Sequence, residues 1–291
     1  MNLNFKILFP VFLAVSAIFV SGCSGKDETP TPKKNVAAPQ PGSPEAIQTR
    51  GKLIVGVFGD IPPFGYVDST GKNVGFDIAY AHRFAKDLLG DESKIEFVTL
   101  DPANRIEYLK SDKVDIVIAD FTVTEERKKE VDFSLPYSKV AVAVIAPAKS
   151  KITKLEDLKG RKLLVNKGTT AEIFFTQNYP DVKLVKFDQN TALFQALKDG
   201  RGEALSQDNT LLFAWAKDNP GYKVVIPSVG SVDQISVAVK KGNKVLLDWV
   251  NAELVKLGKE KFGHTAYEAE LKSFFSSDTK PEDLVVEGGA L

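Results

Sequence analysis

The stretch VDIVIADFTVTEERKKEVDFSLPY, residues 114–137, joins an apolar run to a charged segment within a few residues. The run VDIVIAD is typical of a buried strand, and TEERKKEVDF predicts the start of a helix. Thr124 precedes Glu125 and Glu126, so we predict that it caps this helix, whose positive end suits acidic residues. Arg127 lies on the same first turn, where a cation opposes the helix dipole, and it therefore needs an explanation.

Two interpretations of Arg127 are open on this pattern. A helix start has free backbone N–H groups, and an arginine beside them can hold a carboxylate with two hydrogen bonds. Alternatively, Arg127 pairs with Glu125 or Asp132 on a solvated face, since such surface pairs are common and contribute little. The spacing of these residues does not decide between the two.

Strand-like and helix-like segments alternate along the rest of the chain. KLIVGVF (52–58) and KIEFVTL (94–100) are strand-like, and FDIAYAHRFAKDLLG (76–90) is an amphipathic helix. A second series runs from RKLLVNKGTT (161–170) to GEALSQD, a strand that ends at Asp208. This alternation predicts an α/β fold with parallel strands and with helices on both faces of the sheet.

Two β-prone runs, at 138–147 and 234–240, suggest that the chain passes twice between two lobes. We expect lobe 1 to comprise residues 46–142 and 236–291, and lobe 2 to comprise residues 143–235. A tandem of two domains joined by one linker is the alternative arrangement.

The N-terminal residues have the features of an export signal. Lys6 is followed by a mostly apolar segment, 7–20, which is shorter than the roughly 20 apolar residues of a membrane span. Small residues then precede Cys23, the only cysteine of the chain, as in bacterial lipoprotein signals. We expect a signal peptide over 1–22, an acyl (palmitate) anchor on Cys23 and a flexible tether over 23–45. The protein would then lie in the periplasm or at the cell surface.

Composition and motifs argue against several functions. The chain has 38 basic and 38 acidic residues, which gives no general attraction to nucleic acid. Its two histidines, His82 and His264, lie near no candidate nucleophile or metal ligand, and no HExxH, GxSxG or GxxxxGK[ST] pattern occurs. Asp77 and Asp87 are most simply surface residues of one helix. These observations favour a binding protein that uses no cofactor and no metal.

Candidate binding groups follow the predicted strands, where open α/β sheets bind their ligands. In NKGTT the glycine permits close approach of the backbone, and Thr169 and Thr170 supply hydroxyls and amides before a helix. Asp208 would bind an ammonium group. For both segments a helix-capping role is the alternative. In VGVFGDIPPFGYVD two prolines stiffen a turn and leave Phe64 at its edge. Together with Arg127, these groups match a free α-amino acid.

These segments resemble the periplasmic amino-acid-binding proteins of ABC importers, which have the two-lobed type II fold. The resemblance runs from about Arg50 to about Phe275 and rests on GVFGDIPPFGY, VGFDIAYAHRFAK, the stretch 114–137, LLVNKGTTAE and ALSQDNTLL. It implies two interlobe crossovers and a ligand cleft between the lobes. It also implies a monomer that delivers a free amino acid to an ABC permease in the inner membrane.

The resemblance implies roles for single residues. Arg127 corresponds to the clamp on the ligand's α-carboxylate, with Thr122 and Thr170 as further contacts and Thr169 beside them. Asp208 corresponds to the aspartate that binds the α-ammonium group.

Two further positions follow from the same resemblance. Asp120 stands where relatives use a backbone carbonyl to accept from the ammonium group, and Phe64 is expected to line the pocket. Relatives that bind cationic amino acids have an acidic residue and a tyrosine where this chain has Phe58 and Ile61, and Phe58 is expected to contact the ligand. NKGTT adds no second arginine for a dicarboxylic ligand. A small neutral amino acid is therefore favoured.

GVFGD-PPFGY, NKGTT and DNTLLFAW together resemble the cysteine-binding lipoproteins within this family. We therefore expect L-cysteine as the ligand, with cystine, serine and alanine as open alternatives. A cyclohexadienyl dehydratase on the same fold is a further alternative, although no spare general acid is found for it. A sensing role or surface display also stays open.

Overall fold

The computed structural model of the protein describes residues 39–289, so the predicted signal peptide and Cys23 lie outside the described residues. The helices and strands, in chain order, are α1 (Pro44–Arg50), β1 (Leu53–Val57), β2 (Asp60–Ile61), β3 (Gly65–Val67), β4 (Asn73–Val74), α2 (Phe76–Leu89), β5 (Ile95–Thr99), α3 (Arg105–Lys110), β6 (Ile116–Val117), α4 (Glu125–Glu130), β7 (Val131–Pro147), β8 (Lys162–Asn166), α5 (Thr170–Asn178), β9 (Lys183–Phe187), α6 (Asn190–Lys198), β10 (Ala204–Asp208), α7 (Asn209–Asp218), β11 (Tyr222–Lys240), α8 (Lys244–Lys259), α9 (Phe262–Ala266) and α10 (Pro281–Leu284).

One eight-stranded sheet, in the order β5-β1-β6-β11-β7-β10-β8-β9, runs through the molecule. At one end β1 pairs in parallel with β5 and β6, and at the other end β8 pairs in parallel with β9 and β10. The first group belongs to lobe 1 and the second to lobe 2. Each lobe therefore has the parallel α/β arrangement that the alternating pattern predicts.

The two long strands β7 and β11 belong to both lobes. They run antiparallel, from the pair Val131–Lys240 in lobe 1 to the pair Pro147–Tyr222 in lobe 2. The register shifts at five places between Val224 and Ala238, so the ladder is irregular along most of its length. The chain thus crosses between the lobes twice, which confirms the two-crossover topology and excludes the tandem alternative.

The predicted boundaries of the segments are not all matched by the elements. The divisions at 142/143 and 235/236 fall inside β7 and β11, and they stay predictions. The tether was expected to extend to residue 45, but α1 begins at Pro44. Ser43 is buried and caps this helix by accepting a hydrogen bond from the backbone N–H of Ala46, so residues 43–45 belong to the folded body and not to a tether.

Helix α2 forms where the periodicity predicts it, but the burial of one of its side chains differs from the prediction. It ends at Gly90, whose φ of 75° is the left-handed conformation that closes a helix. Phe76, Tyr80 and Phe84 are buried at four-residue spacing, as predicted. Asp77, however, is only 1% exposed, so the interpretation of Asp77 as a surface residue is wrong.

The buried apolar residues form two clusters, a large one with members from both lobes and a smaller one that lies almost wholly in lobe 2. In lobe 1 the ring centroid of Tyr80 lies 5.3 Å from that of Phe76 and 5.1 Å from that of Tyr137. In lobe 2, Phe175 packs with the strand residues Leu163 and Val165. Burial of one such side chain stabilises the fold by about 1.5–3 kcal/mol. Between Pro39 and Gly289, no helix has the length and apolar character needed to cross a membrane.

Candidate functional site

A cavity lies between the lobes, where the C-terminal ends of strands from both halves of the sheet face each other. Seven of the eight residues predicted for the site line it, and Phe64 does not. The side chains around the cavity are Phe58, Ile61, Pro102, Arg105, Asp120, Thr122, Arg127, Thr169, Thr170, Gln207 and Asp208. The expectation that binding groups follow the strands thus selects residues that lie together around one cavity, and their role in binding stays a prediction.

The prediction that Phe64 lines the cavity is wrong. Its ring is 1% exposed and packs in the core of lobe 1. Its backbone N–H donates to Ile61 O at 2.8 Å, and its carbonyl accepts from Asp77 N at 2.9 Å. This turn packs against the start of α2 and directs the ring inward. Phe58 and Ile61, from the same segment, reach the cavity instead.

Arg127 is buried and not paired on a solvated face. Its Nη1 donates to Thr122 O at 2.6 Å and its Nη2 to Gly168 O at 2.8 Å, and its guanidinium lies 4.9 Å from the ring centroid of Phe121. At 5% exposure Arg127 is shielded from solvent, which favours the interpretation that it holds a carboxylate.

The partners offered by the ion-pair interpretation are engaged elsewhere. Glu125 pairs with Lys128 at 2.8 Å, and Asp132 pairs with Lys241 at 2.6 Å. The interpretation of Arg127 as a surface ion pair is therefore wrong.

The predicted helix caps are present. Thr124 Oγ1 accepts from Arg127 N at 3.2 Å, which confirms Thr124 as the N-cap of α4. Thr169 Oγ1 accepts from Glu172 N at 3.2 Å and donates to Asn166 O at 2.8 Å, so its hydroxyl caps α5. Thr169 therefore contributes to the wall of the cavity, while Thr170 follows it at the N-terminus of α5.

Asp208 precedes α7, but its carboxylate makes no capping hydrogen bond to that helix. The Oδ1 atom is buried and finds no hydrogen-bond partner among residues 39–289. Gln207 beside it is held by Asn166 at 3.1 Å and Asn190 at 3.0 Å, and its Oε1 accepts from Asp208 N at 3.2 Å. The capping interpretation of Asp208 is thus wrong, and a fixed carboxylate faces the cavity.

Asp120 has a backbone φ of 43°, a left-handed conformation that is uncommon for residues other than glycine. Its N–H donates to Asp77 Oδ2 at 2.9 Å, and its carbonyl oxygen accepts from Arg105 Nη1 at 3.1 Å. The carbonyl expected to face a ligand thus already has a donor. The carboxyl group of Asp120 lines the cavity, as that of Asp208 does.

Arg105 is the main residue of the cavity that the sequence reasoning missed. It is 3% exposed, and its guanidinium lies 4.2 Å from the ring centroid of Phe121, on which Arg127 also packs. Arg105 follows strand β5 by a short turn, so the expectation that binding groups follow the strands could have identified it. Pro102 and Gln207 were missed as well.

Burial shifts the pKa values of the charged groups in this cavity. It lowers the pKa of Arg127 to about 10, an effect that Asp208 and Asp233 oppose, so Arg127 is still a cation at neutral pH. It lowers the pKa of Arg105 as well, and the neighbouring Arg127 adds to this. The pKa of Asp208 is raised, first by burial and then by Asp120, and the opposing effect of Arg105 and Arg127 is smaller.

The cavity is narrow in this closed arrangement. Its room is about 10 Å³, close to the space needed for one water molecule. The walls must therefore move apart before a molecule the size of an amino acid can enter. Residues 39–289 contain no group of three or more His, Cys, Asp or Glu side chains suited to a metal ion.

Two α/β lobes linked by two crossing strands, with a charged cavity between them, define the class of two-lobed periplasmic binding proteins. Residues 53–268 match the bacterial extracellular solute-binding proteins, family 3, and the chain belongs to this family. This confirms the resemblance to solute-binding proteins of ABC importers. Members of the family are extracellular or periplasmic proteins.

Relatives of known structure are similar over most of the chain. A cysteine-binding protein from Campylobacter jejuni is 54% identical, with a TM-score of 0.83, over 84% of this chain and 98% of that chain. A solute receptor for L-cysteine from Neisseria gonorrhoeae is 52% identical, with a TM-score of 0.83, over 84% of this chain and 100% of that chain.

A relative with a different ligand is also similar. The ABC transporter glutamine-binding protein GlnH of Bacillus subtilis is 35% identical over 252 residues, which are 86% of this chain and 89% of the relative. These three relatives are binding proteins and not enzymes, which confirms the prediction of a binding protein.

Proposed function

We propose that this protein binds L-cysteine between its lobes and delivers it to the permease of an ABC importer. The observation that carries the proposal is the arrangement of charge across the cavity. Arg127, from lobe 1, would hold the α-carboxylate, with Thr122 and the N-terminus of α5 at Thr170 as further contacts. Asp208, from lobe 2, has a buried oxygen to accept from the α-ammonium group.

Asp120 would contribute its carboxyl group to the same ammonium. A cation placed between the carboxyls of Asp120 and Asp208 favours their charged forms, which burial alone disfavours. Only an ammonium group that lies between the lobes can contact both residues. Ligand binding would thereby favour the closed arrangement of the lobes.

The walls of the cavity support a small neutral side chain. Phe58 and Ile61 are apolar and provide no carboxylate for a cationic ligand. Arg105 is a second guanidinium, but it already makes four hydrogen bonds to backbone carbonyls and has few donors left for a second ligand carboxylate. Two cysteine-binding relatives above 50% identity favour L-cysteine over glutamine.

The proposal includes attachment to the membrane through Cys23, with residues 1–22 as the signal peptide and a tether that ends before α1. Its support is the sequence Val20-Ser21-Gly22-Cys23, which lies outside the described residues. We further propose that the protein is a monomer, and that the lobes divide at 142/143 and 235/236.

A thermal-shift screen tests the ligand. The chain from Ser24 onward is heated with each of the twenty amino acids, with reductant present, and with cystine in its absence. A ligand at 100 times its Kd adds about 2.7 kcal/mol to the free energy of unfolding. We expect L-cysteine to raise the melting temperature most. A larger rise with glutamine, cystine, serine or alanine would replace cysteine as the ligand.

Two substitutions test the site. Arg127→Ala and Asp208→Ala each leave a desolvated charge of the ligand without its partner, which costs about 2–5 kcal/mol, or roughly 30- to 5,000-fold in affinity. Titration calorimetry with L-cysteine measures the loss. Lys128→Ala is the matched control for Arg127, because its ammonium lies at the surface of the same helix and pairs with Glu125. Unchanged affinity in both cavity variants would refute the assignment.

A further inference from the structure

One carbonyl oxygen of lobe 2 accepts hydrogen bonds from two guanidinium groups of lobe 1. Gly168 O accepts from Arg127 Nη2 at 2.8 Å and from Arg105 Nη2 at 3.2 Å. Hydrogen bonds from charged donors are stronger than those between neutral groups. The carbonyl of Gly168 is therefore a principal polar contact between the lobes.

The backbone conformation at Gly168 and its close contact with lobe 1 restrict which residue can occupy this position. Its φ is 75°, and a Cβ atom at this position would lie 2.7 Å from Ala103 Cα and 3.0 Å from Ala103 N. These are backbone atoms of the opposite lobe, so no rotation of a side chain relieves the contact. Any side chain at position 168 would hold the lobes apart.

Arg105 is fixed within lobe 1. Its Nε donates to Pro102 O at 3.0 Å, and its Nη1 donates to Ala119 O at 3.0 Å and to Asp120 O at 3.1 Å. Its guanidinium also lies 5.4 Å from the ring centroid of Phe58. Since these bonds lie within one lobe, Arg105 is held in place whether the lobes are open or closed.

Arg127 differs from Arg105 in this respect. Within lobe 1 its guanidinium has the single carbonyl of Thr122 as a hydrogen-bond acceptor among the described residues, and its other bond goes to Gly168. A ligand carboxylate can take the place of Gly168 O at Arg127. Gly168 O would then still be held by Arg105.

We propose that Arg105 is a positioning residue for ligand binding. By donating to Gly168 O it holds the lobes closed without a ligand. Arg127 can then give up its own bond to that oxygen and bind the ligand's carboxylate instead. The exchange rests on the function proposed above, but closure without a ligand does not. Two consequences follow. The ligand-free protein has a closed population, and loss of the Arg105 contact lowers that population and speeds ligand release.

Pulsed electron spin resonance on doubly labelled protein measures the closed population directly. Spin labels are placed by Ser69→Cys in lobe 1 and Gln177→Cys in lobe 2, both exposed, in a full chain carrying Cys23→Ser. Open and closed arrangements give separate label distances. In ligand-free protein we expect Arg105→Lys to lower the closed-to-open ratio about tenfold, because the lysine lacks the planar set of donors.

Gly168→Ala approaches the same contact from lobe 2 and does not depend on the folding of the Arg105 variant. It should remove the closed distance even with saturating L-cysteine. Gly200→Ala is the matched control, since Gly200 has a φ of 68° in the same lobe and a Cβ there meets no atom within 4 Å. Arg83→Lys is the control for loss of a guanidinium away from the cavity, where Arg83 pairs with Asp87.

The outcomes separate this proposal from the assignment of the ligand. A closed population that falls with Arg105→Lys supports the proposal even if L-cysteine has no effect on any variant. If the ligand-free parent protein shows no population at the label distance of the closed arrangement, the proposal is overturned. An Arg105→Lys variant with the parent's ratio, or a Gly168→Ala variant that closes as Gly200→Ala does, would also overturn it. Where L-cysteine binds, its release measured by stopped flow should be about tenfold faster in Arg105→Lys.

Discussion

The carboxylate of Asp77 accepts a hydrogen bond from the backbone N–H of Asp120, with 2.9 Å between Oδ2 and N. Its other oxygen accepts from the hydroxyl of Tyr137, also at 2.9 Å. The first turn of α2 is thereby tied to the residue that leads from β6 into the cavity. Because Asp120 has a left-handed backbone, this bond helps to hold a conformation that would otherwise cost free energy.

Asp77→Ala should destabilise the fold. It leaves the N–H of Asp120 and the hydroxyl of Tyr137 without their buried acceptor, at about 1–3 kcal/mol for each group. Urea unfolding should show a loss of about 2–5 kcal/mol. Asp77→Asn retains an amide oxygen and should lose less. Lys86→Ala, at an exposed position of the same helix, serves as the control, and an Asp77→Ala protein that loses no more stability than this control would contradict the prediction.

The same carboxyl should make stability depend on pH. Burial, and then the charge of Asp120, raises the pKa of Asp77 to about 7 from its ordinary value of 3.8. A carboxyl with a raised folded pKa contributes stability that is fully present below the unfolded pKa and is lost as pH rises through the folded pKa. The free energy of unfolding should therefore fall between about pH 4 and 7. Urea unfolding of Asp77→Asn across this range should give a flatter profile, and an equal slope would contradict the assignment.

A second pH effect should arise at the C-terminal part of the chain. His264 Nδ1 lies 2.6 Å from Glu287 Oε1, and its Nε2 lies 3.2 Å from Glu282 Oε1. The hydrogen bond to Glu287 is the main cause that raises the pKa of His264 above 6.5, and burial opposes it. The stability it contributes is complete below about pH 6.5 and is lost as pH rises through the folded pKa.

His264→Gln should therefore reduce the loss of stability between about pH 6.5 and 8.5, measured by urea unfolding at both values. Glu287→Gln should reduce it in the same direction, because the carboxylate is the partner of the imidazolium. If neither substitution changes the difference between the two pH values, the ion pair does not form in solution.

Cys23→Ala should release the protein from the membrane if the proposed lipid anchor is present. Expressed in a bacterium that processes lipoproteins, the parent chain should fractionate with membranes and incorporate a labelled palmitate analogue, whereas the variant should do neither. Cys23 is the single cysteine, so incorporation reports on this position. Ser21→Ala, which keeps a small residue before the cysteine, should behave like the parent. Equal labelling of Cys23→Ala would contradict the anchor.

Most of the fold and much of the site could be predicted from the sequence, because both depend on local patterns. Alternating apolar runs indicate the strands, and the ends of those strands indicate Arg127, Thr170 and Asp208. The helix cap at Thr124 likewise depends on residues within three positions. These features need no knowledge of which distant segments meet.

The residues whose positions or roles were not predicted correctly depend on contacts between distant segments. Arg105 begins a short helix, and its importance comes from the carbonyl of Gly168, which lies in the other lobe. Asp77 has a helical pattern around it, and its partner Tyr137 comes from β7. For Phe64, the position in the turn was predicted, but the direction of the ring depends on how α2 packs against that turn. A single sequence does not reveal such pairings.

The sharing of β7 and β11 between the lobes also determines the order in which the chain can fold during synthesis and export. Lobe 2 is one continuous segment, so its strands can assemble as soon as residue 229 or so has emerged. Lobe 1 must wait, because β6 has β1 on one side and needs residues 238–239 on the other. Until those residues are made, lobe 1 exposes a sheet edge, and a nascent chain stalled at that point would present it to export factors and proteases.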